Sequence, residues 1–245
     1  MKNILLKSLY KIHNQSDLPA PSRGMTSKKS FECYQEMQKL SIESFKINMA
    51  GNWSLVQLGG SFDNLPQAFK YTLHKTRQIH RDNYPCNILY VDPDVLCLEP
   101  IDPWCDTKNI DFHLFGENNC GVRYFKHTMS NKLWQSILSQ AKNWDNNNYA
   151  FEQDLYIMLE KEAIKLAGKK LEDYVSACDL WNQIHQEPNF QSRDENLNEH
   201  EINLLVESMQ YLYEHSLVHF HSSRIPCATL SLMKKTWHHC ENNIS

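Results

Sequence analysis

Two aspartates, Asp92 and Asp94, flank Pro93 directly after the short run Asn87-Ile88-Leu89-Tyr90-Val91. Pro93 fixes its own φ and disfavours the helical region for Asp92, so the tripeptide is extended or turned rather than helical. In an extended chain residues i and i+2 face the same side, which sets both carboxylates together. Two such carboxylates make a hard-oxygen site suited to Mg2+ or Mn2+. Asp-Pro-Asp is also ordinary turn chemistry. A surface turn leads into solvent, however, whereas this one runs into a second apolar stretch, Val95-Leu96. Carboxylates buried between apolar runs call for a ligand, because an unpaired buried charge is costly.

The elements that must position this pair follow from periodicity. Residues 87–91, bounded by Pro85 and Pro93, read as a strand buried on both faces; Pro93 has no N–H for a ladder and ends it. Residues 2–12 read as a first strand, followed by a turn-rich stretch from Asn14 to Lys29. Tyr34, Met37, Leu40, Ile42 and Phe45 mark a helix across residues 31–49. Trp53 to Leu58 read as a strand closed by Gly59-Gly60, and Phe69, Leu73 and Ile79 share one side of a helix over 65–81. Strand, helix, strand, helix, strand in this order implies parallel pairing and an α/β sheet. Ligands bind such sheets at the carboxyl ends of the strands, where Asp92 falls.

Downstream, Asp111–Phe115 and Val122–Phe125 read as strands, and 129–143 and 150–166 as helices. The second helix carries Phe151, Leu155, Met158 and Leu159 as a stripe. Residues Gln186 to Asn196 read as a loop. Asn198 with Glu201 resembles a capping box opening a helix through Leu205, Met209 and Leu212, and Leu217–Phe220 reads as a short strand. No linker divides the chain, so one domain spanning 1–245 is expected.

Composition narrows the function. Of 245 residues, 41% are hydrophobic and 22% charged, enough to bury a core. The net charge of −4 and the lack of a basic run argue against a nucleic-acid partner, whose phosphates demand clustered Lys and Arg. Eight cysteines are spread without any Cys-x-x-Cys pair, and reduced, structural thiols are the expectation. Lys7 interrupts Ile4-Leu5-Leu6 too early for a secretory leader. No apolar run is long enough to span a bilayer. A soluble, cytoplasmic protein is expected.

The segment Asn87-Ile88-Leu89-Tyr90-Val91-Asp92-Pro93-Asp94-Val95-Leu96 resembles the DxD signature of GT-A-fold glycosyltransferases, especially the glycogenin-like and related nucleotide-diphospho-sugar transferases. That resemblance implies a single α/β, Rossmann-like GT-A domain with a mixed, mainly parallel central sheet flanked by helices, a Mn2+ or Mg2+ cofactor and a nucleotide-diphosphate sugar donor. It implies that Asp92 lies near ribose and metal, and that Asp94 binds the metal bridging the phosphates. Lys75, seventeen residues before Asp92, matches the lysine that meets nucleotide phosphate; Arg77 and Arg81 are neighbouring alternatives. Asn119-Cys120-Gly121-Val122-Arg123-Tyr124-Phe125 is similar to the strand along the sugar-binding floor, with Gly121 allowing close backbone approach and Arg123 departing from the usual apolar residue.

Glu152-Gln153-Asp154 resembles the Asp-Gln-Asp motif of the same families, with Glu in first place. The resemblance implies that Glu152 and Asp154 are the catalytic residues, one or the other holding donor-sugar or acceptor hydroxyls, and that Gln153 contacts the donor. Acidic residues at a helix start also suit its dipole. Leu180-Trp181-Asn182 is similar to a Trp-Asn step, implying donor contact by Asn182. Val218-His219-Phe220-His221 resembles the His-aromatic pair that completes the metal site, with His219 as the match and His221 the second candidate. The Gly and Lys-Pro-Trp that usually follow are replaced by Ser222-Ser223-Arg224-Ile225-Pro226, where Arg224 could stand in for the lysine on the diphosphate.

Two further readings stay open at this stage. A domain of the same fold could bind nucleotide sugar without catalysis. A nucleotidyltransferase would also use two carboxylates, with Gly59-Gly60-Ser61 as its Gly-Ser turn, but Ser61 lies thirty-one residues before Asp92 where about a dozen are needed.

Overall fold

The computed structural model describes residues 1–13, 28–106, 111–115, 120–142, 151–167, 175–177, 198–208, 216–220 and 226–243. In chain order the elements are β1 (Lys2–Ile12), α1 (Lys28–Asn48), β2 (Ser54–Phe62), α2 (Leu65–Asp82), β3 (Cys86–Val91), β4 (Val95–Cys97), α3 (Pro103–Asp106), β5 (Phe112–Leu114), β6 (Val122–Phe125), α4 (Asn131–Ala141), α5 (Phe151–Ala167), β7 (Val175–Ala177), α6 (Glu199–Ser208), β8 (Leu217–His219) and α7 (Pro226–Asn243). They fall into two compact units, one holding most of the N-terminal two thirds and the other built from α1, β4 and the C-terminal elements.

The first unit is organised on a five-stranded sheet in the order β2-β1-β3-β6-β5. β1 pairs in parallel with β2 and β3, while β6 is antiparallel to both β3 and β5, so four strands share one direction. The expected mixed, mainly parallel α/β sheet is therefore present. All six residues of β3 are buried, as its unbroken apolar character requires. Ile4, Leu6, Ile88, Tyr90, Phe112 and Phe125 share a core with Phe69 and Leu73 of α2, Leu133 and Trp134 of α4, and Leu155, Tyr156 and Leu159 of α5. Each such side chain contributes about 1.5–3 kcal/mol by burial, which fixes the helices against this face.

Caps set the helix starts. The Asn64 side chain accepts the Gln67 N–H at 3.0 Å before α2, with Pro66 in its first turn, and Ser130 accepts the Leu133 N–H at 3.3 Å before α4. One boundary differs from the sequence expectation. β2 does not stop at Gly59-Gly60 but continues to Phe62, because β1 extends far enough to pair Leu9 with Gly59 and Tyr10 with Gly60. A Cβ on Gly60 would come within 3.0 Å of the Phe62 ring. The glycine is a packing requirement inside the strand here, not its end.

The second unit contains a three-stranded sheet, β4-β8-β7, with β4 antiparallel and β7 parallel to β8. Neither β4 nor β7 was evident in the sequence, both being only three residues long. Cys33 of α1 and Cys227 of α7 form a disulfide with a Cα–Cα distance of 5.4 Å. This corrects the expectation of reduced thiols throughout: residues far apart in the chain meet where α1 packs on α7, at a spacing a disulfide spans without strain. Among the described residues, Cys86, Cys97, Cys120 and Cys240 form no disulfide. Among the described residues, no helix is long and apolar enough to cross a membrane. The expected loop at 186–196 and the segment Leu180-Trp181-Asn182 lie outside the described residues, as do His221 and Arg224.

Candidate functional site

β3 ends at Val91, and the main chain at Asp92 is then held by hydrogen bonds rather than by the ladder. The Asp92 N–H donates to the Gly121 carbonyl at 2.8 Å, and Lys7 Nζ donates to the Asp92 carbonyl at 3.0 Å. Lys7 is fully buried. It lies opposite Val91 in the β1–β3 register, which brings its amine to the end of β3.

The Asp92 side chain belongs to a buried charge network. Arg123 Nη2 lies 3.3 Å from Asp92 Oδ1, and Arg123 Nη1 lies 2.6 Å from Glu152 Oε1. Arg123 pairs across the strands with Tyr90. Its guanidinium carbon sits 3.8 Å from the Tyr90 ring centroid and 4.3 Å from that of Tyr156. With only 1% of its surface exposed, Arg123 is among the largest fully buried side chains. Burial opposes its charge, but Tyr156, Glu152, Tyr90 and Asp92 together outweigh that and hold it firmly protonated. Burial also pushes the hydroxyls of Tyr90 and Tyr156 up, so both stay neutral at physiological pH.

Pro93 alone separates Asp92 from Asp94 in the chain, and Pro93 and Asp94 form the turn into β4. The turn is embedded, with Asp94 only 7% exposed. β4 runs antiparallel to β8 with Val95 opposite His219. This register brings His219 Nε2 to 3.2 Å from Asp94 Oδ1, and the Phe220 N–H donates to the Asp94 carbonyl at 2.9 Å. The other edge of β4 is covered by one face of α1. Ser41 Oγ donates to the Val95 carbonyl, Ser44 Oγ accepts the Cys97 N–H at 3.0 Å, and Asn48 Nδ2 donates to the Cys97 carbonyl at 2.8 Å. Three polar residues at helical spacing thus satisfy a strand edge that would otherwise be left open.

The remaining expected residues are placed as follows. Gly121 is buried and uses its carbonyl on Asp92. Glu152, Gln153 and Asp154 occupy the first turn of α5, with Asp154 exposed and the other two half-buried. Lys75 donates to Gln78 at 3.0 Å and lies 5.8 Å over the Tyr71 ring. Two residues were missed as site members. Arg123 read only as a departure from a motif, although an arginine inside a strand of apolar neighbours signals buried carboxylate partners. Lys7 read only as the end of an apolar run, although a lysine in the middle of a buried strand carries the same signal.

No protein-family profile matches the chain, and no curated protein matches it. Solved structures do resemble it. A glycosyltransferase involved in the glycosylation of the major capsid of PBCV-1 superposes with a TM-score of 0.53 at 13% identity, covering 96% of this chain and all of that one. The apo form of the glycosyltransferase GlyE from Streptococcus pneumoniae TIGR4 gives a TM-score of 0.43 at 11% identity, covering 99% of this chain and 63% of that one. The galactosyltransferase LgtC, in complex with donor and acceptor sugar analogs, gives 0.41 at 10% identity, covering 95% of each chain. The first likeness, with the mixed sheet described above, establishes a GT-A-like glycosyltransferase fold.

Proposed function

We propose that this chain transfers a sugar from a nucleotide-diphosphate donor to an acceptor hydroxyl, using a divalent cation held by Asp92, Asp94 and His219. The observation that carries the reading is the meeting of His219 with Asp94 at 3.2 Å in a buried setting. Sequence resemblance nominated both residues from distant parts of the chain, His219 because it follows Asp92 and Asp94 in the family's order. Two carboxylates and an imidazole form a donor set that suits Mn2+, with Mg2+ the harder alternative. A metal bound there supplies charge stabilisation to the leaving diphosphate.

The protein's own groups do the rest. The bonds to Gly121 and Lys7 fix the main chain at Asp92, so its carboxylate is presented by a rigid strand end. Glu152 and Gln153, in the first turn of α5, orient hydroxyls of the donor sugar. Asp154 is exposed there and would take the acceptor proton if the reaction inverts. Lys75 and Arg224 are the cations assigned to the phosphates. The direct test is a panel of UDP, GDP and dTDP sugars assayed for hydrolysis with Mn2+ and with chelator. Metal-dependent release of nucleoside diphosphate from one donor supports the reading. Tight metal-dependent binding with no turnover marks a silent nucleotide-sugar-binding domain instead, and no binding to any donor overturns the proposal.

A further inference from the structure

We infer that Arg123 is a positioning residue that fixes Glu152 for donor-sugar chemistry, acting as a rigid clamp between the end of β3 and the first turn of α5. The inference rests on the transferase reading above and adds a residue to it. Three features of the geometry carry it. The guanidinium is stacked between Tyr90 and Tyr156, at 3.8 and 4.3 Å from their centroids, which leaves it little freedom to rotate. Its two terminal nitrogens diverge to different carboxylates, one on each element. The bond to Glu152 at 2.6 Å is much shorter than the contact with Asp92 at 3.3 Å, so the clamp acts mainly on Glu152.

The surroundings explain why an arginine is required. Tyr156 lies one helical turn after Glu152, so a single turn of α5 supplies both the carboxylate and one stacking ring. Tyr90 comes from the adjacent strand, directly opposite Arg123. Arg123 Nε is buried without a hydrogen-bond partner among the described residues, so the rings rather than further hydrogen bonds hold that part of the side chain. A lysine would keep the charge but offer neither the planar surface for two rings nor the fork for two carboxylates. Where the resembling families carry an apolar residue, this chain uses a cation to hold two acidic groups at fixed positions.

The test uses the full-length protein, with Arg123→Lys, Glu152→Gln and the double variant. In donor hydrolysis with Mn2+, Arg123→Lys should lower kcat by about a hundredfold, the scale of a misplaced catalytic group. KM for the donor should change by less than about threefold, because the metal ligands remain. Adding Glu152→Gln to Arg123→Lys should cause no further loss. Wild-type kcat in Arg123→Lys, or fully additive losses in the double variant, would overturn the inference. So would a KM that rises in step with the loss of kcat, which would place the effect on Asp92 and the metal. Unfolding in urea of the same four proteins separates this from the functional reading. Should the wild type turn over no donor, the transferase reading fails, and non-additive stabilities still establish the Arg123–Glu152 clamp, while additive ones overturn that too.

Discussion

His219 Nε2 lies 3.2 Å from Asp94 Oδ1, across a strand pair in which Val95 stands opposite His219. The pairing register, not local sequence, creates this contact. It predicts that Asp94→Asn removes metal-dependent nucleotide binding while leaving far-ultraviolet circular dichroism unchanged. The loss in Mn2+ affinity should exceed the roughly tenfold to hundredfold typical of outer-shell changes. Nucleotide binding that survives the substitution would place the metal elsewhere.

His219→Ala should weaken Mn2+ binding more than His221→Ala, since His219 lies beside Asp94 and is the match in the resembling motif. Titration of Mn2+ followed by electron paramagnetic resonance ranks the two. The reverse order would make His221 the ligand.

The α1 side chains that cover β4 give a stability prediction. Ser44→Ala removes the acceptor of the buried Cys97 N–H, and Asn48→Ala removes a donor to the Cys97 carbonyl. Each should lower the unfolding free energy by about 1–3 kcal/mol in urea titration. Because β4 begins beside Asp94, Mn2+ affinity should fall along with stability. Unchanged stability in both variants would show that this strand edge is satisfied in another way.

The disulfide is tested by mass spectrometry after alkylation without reduction, which should recover the peptides of Cys33 and Cys227 as one linked species. Replacing both by Ser should lower stability by about 2–5 kcal/mol, the range for a bond closing a long loop. Recovery of both peptides alkylated separately would rule the bond out.

His80 supplies a pH dependence. It is buried against Trp134 and bonded through Nε2 to the Lys126 carbonyl at 2.7 Å, and burial lowers its pKa below the ordinary 6.5. The unfolded chain therefore binds a proton more readily than the native one. Its contribution is complete above pH 6.5 and is lost as pH falls through the lower, folded value. Urea midpoints measured from pH 8 to pH 5 should drop over this interval, and His80→Gln should flatten the drop. An identical slope in the variant would assign it to other groups.

Much of this architecture was legible in the sequence because its signals are local. The apolar run before Asp92, the helical stripe at Leu155 and Leu159, and the breaker at Pro93 each follow from the residues beside them. What escaped was set by partners distant in the chain. Gly59-Gly60 reads as a break until β1 is found running alongside, and Val95–Cys97 becomes a strand only through β8 and α1. Arg123 read as a flaw in a motif because its meaning depends on Glu152 and on two tyrosine rings from other elements. The aspartate pair stood out by its spacing, and the buried arginine that contacts Asp92 did not.

Calorimetric titration of the wild-type protein and Asp94→Asn with UDP, GDP and dTDP sugars, each with and without Mn2+, tests the central claim most directly. The expected result is saturable binding of at least one nucleotide sugar by the wild type, present only with Mn2+ and absent in Asp94→Asn. Binding equally strong without metal, or retained in Asp94→Asn, would contradict it.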